Sequence, residues 1–236
     1  AGLKKDSDAI REIKKAIELD PKRITSYLNL GGIYVTQKNL NEAEKVYMEA
    51  VSIDAKSIQA RLALANLHYL GKDMTAAEEG YKEAIRIDPK NLNLYITLGR
   101  FYSSQKRYKE AEAEYIEAGG VDPKNPLPHI ILGDLYIFQK MDDDAVKAYQ
   151  KGDEIKPDDL TAKKRLASFY LTKTKIDEAT KYVDKILEKN SNDLEGHSLK
   201  GRIFLAKLKA SEAVSEFQKV LKDEPGRFDV RYFLAQ

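Results

Sequence analysis

The sequence predicts an all-α fold, a solenoid of antiparallel helix pairs repeating every 34 residues. Three observations carry this expectation. Pro21, Ala55, Pro89, Pro123, Pro157, Ser191 and Pro225 stand 34 residues apart and punctuate the chain. Ala9, Ala43, Ala77, Ala111, Ala145, Ala179 and Ala213 keep the same spacing without exception. Within each interval the apolar residues recur with helical rather than strand periodicity. A fixed period of this length means stacked supersecondary units, not a closed globule.

Units counted from Ile24 span 24–57, 58–91, 92–125, 126–159, 160–193 and 194–227. Residues 1–23 are expected to supply only the second helix of a preceding unit, and 228–236 only the start of a following one. In each unit the first helix is marked by four positions. Position 7 is Leu30, Leu64, Leu98, Leu132 and Leu166, then breaks at Lys200, with Leu199 one residue earlier. Position 8 is small throughout: Gly31, Ala65, Gly99, Gly133, Ala167 and Gly201. Position 10 is Ile33, Leu67, Phe101, Leu135, Phe169 and Ile203, and position 11 is aromatic or His68. Together these line one helix face, with a small residue where another helix must come close.

The second helix follows. Position 18 holds Asn41, Thr75, Lys109, Asp143, Asp177 and Ser211, most of them able to cap a helix start. The alanine at position 20 is followed four residues later by Tyr47, Tyr81, Tyr115, Tyr149, Val183 and Phe217. Small then large, one turn apart, fits that face against the first helix. Asp-Pro or Glu-Pro closes most units, because proline disfavours helical geometry in the residue before it. Position 28 is apolar at Val51, Ile85, Leu187 and Leu221 but reads Gly119 and Asp153 in two units, with Gly120 and Gly152 alongside. A soft joint between 118 and 155 is expected there, since helical glycine costs up to about 1 kcal/mol relative to alanine.

The segments YLNLGGIYVTQKNLNEAEKVYMEAVSID (27–54) and YITLGRFYSSQKRYKEAEAEYIEAGGVD (95–122) resemble the tetratricopeptide repeat. The resemblance runs through essentially the whole chain. It departs at position 4, where Tyr27 and Tyr95 give way to Arg61, His129, Lys163 and His197, expected to thin the packing. It implies a right-handed superhelix whose first helices line a concave groove that usually holds a peptide. Carried onto this sequence, the groove candidates are Leu28, Leu62, Asn66, Tyr69, Ile96, Arg100, Ile130, Asp134, Ile137, Lys164, Arg165 and Arg202. They form an apolar ladder in the first four units and a basic end from the fifth. Arg100 and Asp134 are expected to pair with each other. The ladder has two readings, a docking strip for an apolar or amphipathic segment and ordinary packing.

Two better-known uses of the family lack their residues here. A carboxylate clamp needs Lys at position 5 and Asn at 9, yet Lys164 is followed by Ser168 and Leu199. An asparagine ladder at position 6 is replaced by Asn29, Ala63, Thr97, Ile131, Arg165 and Leu199.

Composition narrows the function further. Of 236 residues 42% are hydrophobic and 33% charged, enough for a continuous core under a solvated surface. Forty basic residues against thirty-eight acidic ones, a net charge of +2, disfavour nucleic acid as a partner. There is no cysteine, so disulfides and thiolate metal sites are excluded. No apolar run approaches the ~18 residues of a membrane span, and charge at Lys4 speaks against a signal peptide in this segment.

His129 and His197 stand two units apart and His68 elsewhere, so no metal cluster is expected. Asp142, Asp143 and Asp144 open a second helix, where negative charge offsets the helix dipole. Gly71-Lys72-Asp73 is an inter-helix turn rather than a phosphate loop. No catalytic, cofactor or metal residue is expected, and the chain reads as a non-catalytic scaffold for a protein or peptide ligand. The alternative is a targeting or assembly arm of a larger enzyme or cell-envelope machine. Residues 194–226 are similar to repeats of bacterial exopolysaccharide-assembly scaffolds. Compartment stays open between cytoplasm and periplasm. Phe228, Val230, Tyr232, Phe233 and Leu234 do not make a polar cap. The chain is therefore expected to be a piece of a longer array, the alternative being end-to-end self-association through open repeat faces.

Overall fold

The computed structural model describes residues 2–235, with side chains from Ser7 onward. Among the described residues there are fourteen α-helices and no strand. The chain divides into two compact units, 1–121 and 122–236. The first holds α1 (Gly2–Leu19), α2 (Ile24–Thr36), α3 (Leu40–Ile53), α4 (Ile58–Leu70), α5 (Met74–Ile87), α6 (Leu92–Ser104) and α7 (Tyr108–Val121). The second holds α8 (Leu127–Phe138), α9 (Asp142–Ile155), α10 (Leu160–Thr172), α11 (Ile176–Lys189), α12 (Leu194–Ala206), α13 (Ala210–Asp223) and α14 (Phe228–Leu234). No described helix is long and apolar enough to cross a membrane.

Each pair is held by the small-against-large pattern read from the sequence. Ala43, Ala77, Ala111, Ala145, Ala179 and Ala213 are fully buried. At position 8 a Cβ built on Gly31, Gly99, Gly133 or Gly201 would collide with the ring of Tyr47, Tyr115, Tyr149 or Phe217. Where position 8 is alanine the neighbour gives way. Ala65 faces Gly80, on which a Cβ would stand 2.7 Å from the Ala65 methyl, and Ala167 packs in the cluster of Val183, which replaces an aromatic ring. The volume is conserved across the contact, as close-packed interiors require.

The turn inside each pair is the same six times. The backbone N–H of Asn39, Asp73, Arg107, Met141, Lys175 and Lys209 donates to the carbonyl of Tyr34, His68, Tyr102, Tyr136, Tyr170 and Phe204, each at 2.9 Å. This is the closure of a Schellman motif, which needs a left-handed residue just before the donor. That residue is never glycine: Lys38, Lys72, Lys106, Lys140, Thr174 and Leu208 sit at φ of 57° to 65°. The turn also moves the expected caps. The second helices start at position 17, so the oxygen-bearing residues at position 18 lie in the first turn and do not cap. Asp73 alone of the preceding residues accepts a capping bond, from Ala76 N. Side-chain caps serve the first helices instead, from Ser57, Asn91, Asp159 and Asp193.

Position 4 explains its own variety. Tyr27 Oη donates to Pro21 O at 3.0 Å and Tyr95 Oη to Pro89 O at 3.1 Å. Arg61 Nε donates to Ala55 O at 2.7 Å, Lys163 Nζ to Pro157 O at 2.5 Å, and His197 Nε2 lies 2.9 Å from Ser191 O. The shared property is a donor that reaches the turn carbonyl six residues back, so the expected thinning does not occur at these sites. The nitrogen-bearing versions also meet acidic side chains. Lys163 is 8% exposed and pairs with Asp153; His197 Nδ1 lies 2.5 Å from Glu216 Oε2, both buried.

The segment expected to be soft is packed in part. Asp153 is the counterion of a buried lysine, and Gly152 is buried with Ile130, Pro126 O and Ala162 against it. Gly120 meets nothing within 4 Å.

Two outcomes follow for stability. Thr174→Gly is expected to raise the unfolding free energy by about 1 kcal/mol in urea titration, because a β-branched residue is strained at positive φ. A lower midpoint would show that the Thr174 side chain stabilises the turn. Lys163→Met is expected to cost about 3 kcal/mol by stranding Asp153, and adding Asp153→Leu to recover most of that loss. Additive losses in the double variant would refute the coupling.

Candidate functional site

The first unit has a cleft of about 290 Å³ formed by α4, α5 and α6. Asn66 and Tyr69 come from α4, Tyr81 from α5, and Thr97, Arg100 and Phe101 from α6, with Ser104 at the end of α6 closing one side. Its size, at the lower edge of the ~300–1,000 Å³ of small-ligand pockets, suits a single side chain. Helical spacing builds it: positions 9 and 12 of one first helix face positions 6, 9 and 13 of the next.

The floor is aromatic. Phe101, 5% exposed, meets Tyr69 edge-on at 5.9 Å between centroids and Tyr81 at 5.3 Å. Tyr69 keeps 39% of its surface in solvent. Tyr81 Oη donates to Asn66 Oδ1 at 2.6 Å, and burial pushes its phenol up to about 12, with Tyr69 adding to the effect. Thr97 and Ser104 turn their hydroxyl protons to helix carbonyls, those of Asn93 and Phe101, each at 2.7 Å. Arg100 is exposed and pairs with no carboxylate among the described residues, its charge acting on the Tyr115 phenol.

The cleft walls are fixed from behind by a charge cluster. Glu78 on α5 accepts from Arg107 Nη1 at 2.5 Å, Lys82 Nζ at 2.6 Å and Tyr102 Oη at 3.0 Å, joining α5 to α6 and to the turn after it. Burial pushes the Glu78 carboxyl up, but the hydrogen bonds from Arg107, Lys82 and Tyr102 outweigh it and hold the group down at about 2.

The structure sorts the sequence candidates into different roles. Asn66, Tyr69 and Arg100 meet in the cleft. Leu28 and Leu62 are half-buried, and Ile137 is 37% exposed on the second unit. Ile96 and Ile130 are each 4% exposed and belong to the core, Ile130 also bordering a cleft of the second unit. Two of the three basic-end residues are paired with carboxylates and the third lies over a ring. Lys164 Nζ pairs with Asp193 at 2.7 Å, Arg165 Nε with Asp134 at 3.2 Å, and the Arg202 guanidinium lies 5.3 Å from the Phe233 centroid. Asp134 also accepts from Tyr149 Oη at 2.6 Å, so its carboxylate is engaged by Arg165 and Tyr149 rather than by Arg100 as expected. Tyr81 and Phe101 were read only as packing residues and Ser104 not at all. The signal for them is the coincidence of large rings at positions 10, 12 and 24 of adjoining units. Among the described residues no three His, Cys, Asp or Glu side chains gather as metal ligands. Asp142 pairs with Lys173 and Asp144 with Lys147 in the first turn of α9.

Comparison with known proteins gives one family. A tetratricopeptide repeat model matches residues 69–135 and 139–203, and a second such model matches 24–57. No curated protein sequence matches. Among solved structures, yeast Tom70 is 20% identical with a TM-score of 0.66, over 90% of this chain and 45% of that one. PilW, described as a widely conserved type IV pilus biogenesis factor, is 18% identical with a TM-score of 0.62, over 89% and 98%. Pseudomonas aeruginosa pilF is 22% identical with a TM-score of 0.58, over 90% and 96%. At these identities the likeness is one of fold, and this chain spans under half the length of Tom70.

The Glu78 cluster predicts an acid dependence with a definite sign. A carboxyl held at about 2 against its usual 4.5 stabilises the fold fully above pH 4.5 and loses that contribution as pH falls toward 2. Glu78→Gln should therefore cost about 2–3 kcal/mol at pH 7, and the gap to wild type in urea midpoints should shrink to under about a third of that by pH 2.5. A gap independent of pH would show that Glu78 acts by shape rather than charge.

Proposed function

The chain belongs to the tetratricopeptide repeat family, and from that premise we propose that it is a non-catalytic protein-interaction scaffold. Its ligand is a segment of another protein, held on the first-helix surface at the α4–α6 cleft. The single observation that supports this most is the pairing of an exposed ring, Tyr69, with a buried aromatic floor and a rim of polar groups. Tyrosine and arginine at the mouth of a pocket are the residue types that dominate protein interfaces. The lining offers hydrogen-bond donors and ring faces, not an acid–base pair, which supports binding rather than chemistry.

A site-specific photocrosslinker tests the reading. Placed at Tyr69 in the intact chain, it should give one dominant crosslinked protein. Placed at Ile116, which is 55% exposed on α7, it should give none of that product. Arg100→Ala should lower the Tyr69 yield at least tenfold. Equal crosslinking from both sites, or none from Tyr69, would sink the assignment of this face.

A further inference from the structure

The α4–α6 cleft has an asymmetry that points to a ligand chemistry, an inference that rests on the reading just given. Its lining holds no carboxylate. The one strong acceptor oxygen of Asn66 is occupied by Tyr81, leaving the amide N–H groups for other acceptors. Thr97 and Ser104 spend their hydroxyl protons on their own helix. The donors left are the Arg100 guanidinium and the Asn66 amide, beside the exposed ring of Tyr69 and the acceptor oxygens of Thr97 and Ser104. Such a site offers donors and an apolar face together.

Arg100 also differs from the other groove cations. Lys164 and Arg165 have carboxylate partners, and Arg202 lies over a ring. Lys163 and Arg61 are likewise paired, with Asp153 and Glu83. An exposed arginine on its own is merely solvated. Beside a pocket that a side chain would fill and dry, its attraction for a carboxylate strengthens, and the planar guanidinium favours two-point binding.

We propose that the cleft selects an acidic–aromatic motif within a partner chain. A large apolar side chain lies against Tyr69 and Phe101, and the side-chain carboxylate of an adjacent Asp or Glu pairs with Arg100. The cleft volume of about 290 Å³ holds one such ring, so the carboxylate sits at the rim. The occupant is an internal segment, since a single guanidinium and one amide match one side-chain carboxylate, with no second cation for a chain terminus that also carries acidic residues.

Selection from a random dodecapeptide library tests this, with the peptides displayed between two fixed flanks so that no terminus is presented. Purified wild-type chain should enrich peptides with an aromatic residue beside Asp or Glu. Arg100→Glu should lose these and turn the preference toward Lys or Arg next to the aromatic, with circular dichroism confirming the helical fold. A synthetic winner, acetylated and amidated, should bind wild type at least tenfold more tightly than its Glu→Gln form, and Arg100→Gln should erase that difference. The proposal falls if enrichment shows no acidic preference, if Arg100→Glu leaves it unchanged, if nothing is enriched, or if only a library with free C-termini yields binders. Any of these results beside a positive Tyr69 crosslink would remove the motif while leaving the scaffold reading standing.

Discussion

Four of the helix pairs close with a ring packed on a residue that has no side chain. Tyr47 on Gly31, Tyr115 on Gly99, Tyr149 on Gly133 and Phe217 on Gly201 set how near the two helices of a pair lie. Two pairs close differently, on Gly80 against Ala65 and on Val183 beside Ala167. With the pair closed, position 9 comes within reach of the position-24 hydroxyl, so Tyr81 meets Asn66 and Tyr149 meets Asp134. The same closure turns positions 9 and 12 outward on the first helix, where they border the next repeat. The cleft is thus a by-product of packing where rings of two adjoining repeats, Tyr69 and Tyr81 with Phe101, meet.

A second layer of bonding joins one repeat to the turn before it. A helix end leaves carbonyls without helical partners, and a side chain from the next helix supplies one here although the turn residues themselves are exposed. Tyr27, Arg61, Tyr95, Lys163 and His197 at position 4 each place a hydroxyl or nitrogen within reach of that carbonyl. The cationic versions carry a larger desolvation penalty, which explains why each comes with an acidic neighbour. What looks like erosion of a motif is one hydrogen bond kept by four chemistries.

How far the sequence could be read follows from these two layers. The period, the helix pairs and the buried alanines were legible because each rests on local spacing repeated many times. The groove was legible only in outline. Ile96 and Leu62 share position 5, yet Ile96 is buried and Leu62 half-buried, because burial depends on the side chains of the adjoining repeat. Lys164 and Arg165 read as a basic end because Asp193 and Asp134 are 29 and 31 residues away in sequence. Asp153 looked like a flaw until Lys163 was seen beside it. Periodicity reports what repeats share; ion pairs and clefts arise from what they do not.

That difference limits how the gene can change. Repeat arrays lengthen and shorten by exchange of whole units, and units with uniform borders tolerate it. Here the borders are individual. A copy of residues 160–193 moved to follow residues 58–91 would set a buried ammonium against Ile85, where its own neighbour supplies Asp153. The Lys163–Asp153 pair therefore acts as an address, fixing which repeat follows which and resisting recombination within the array.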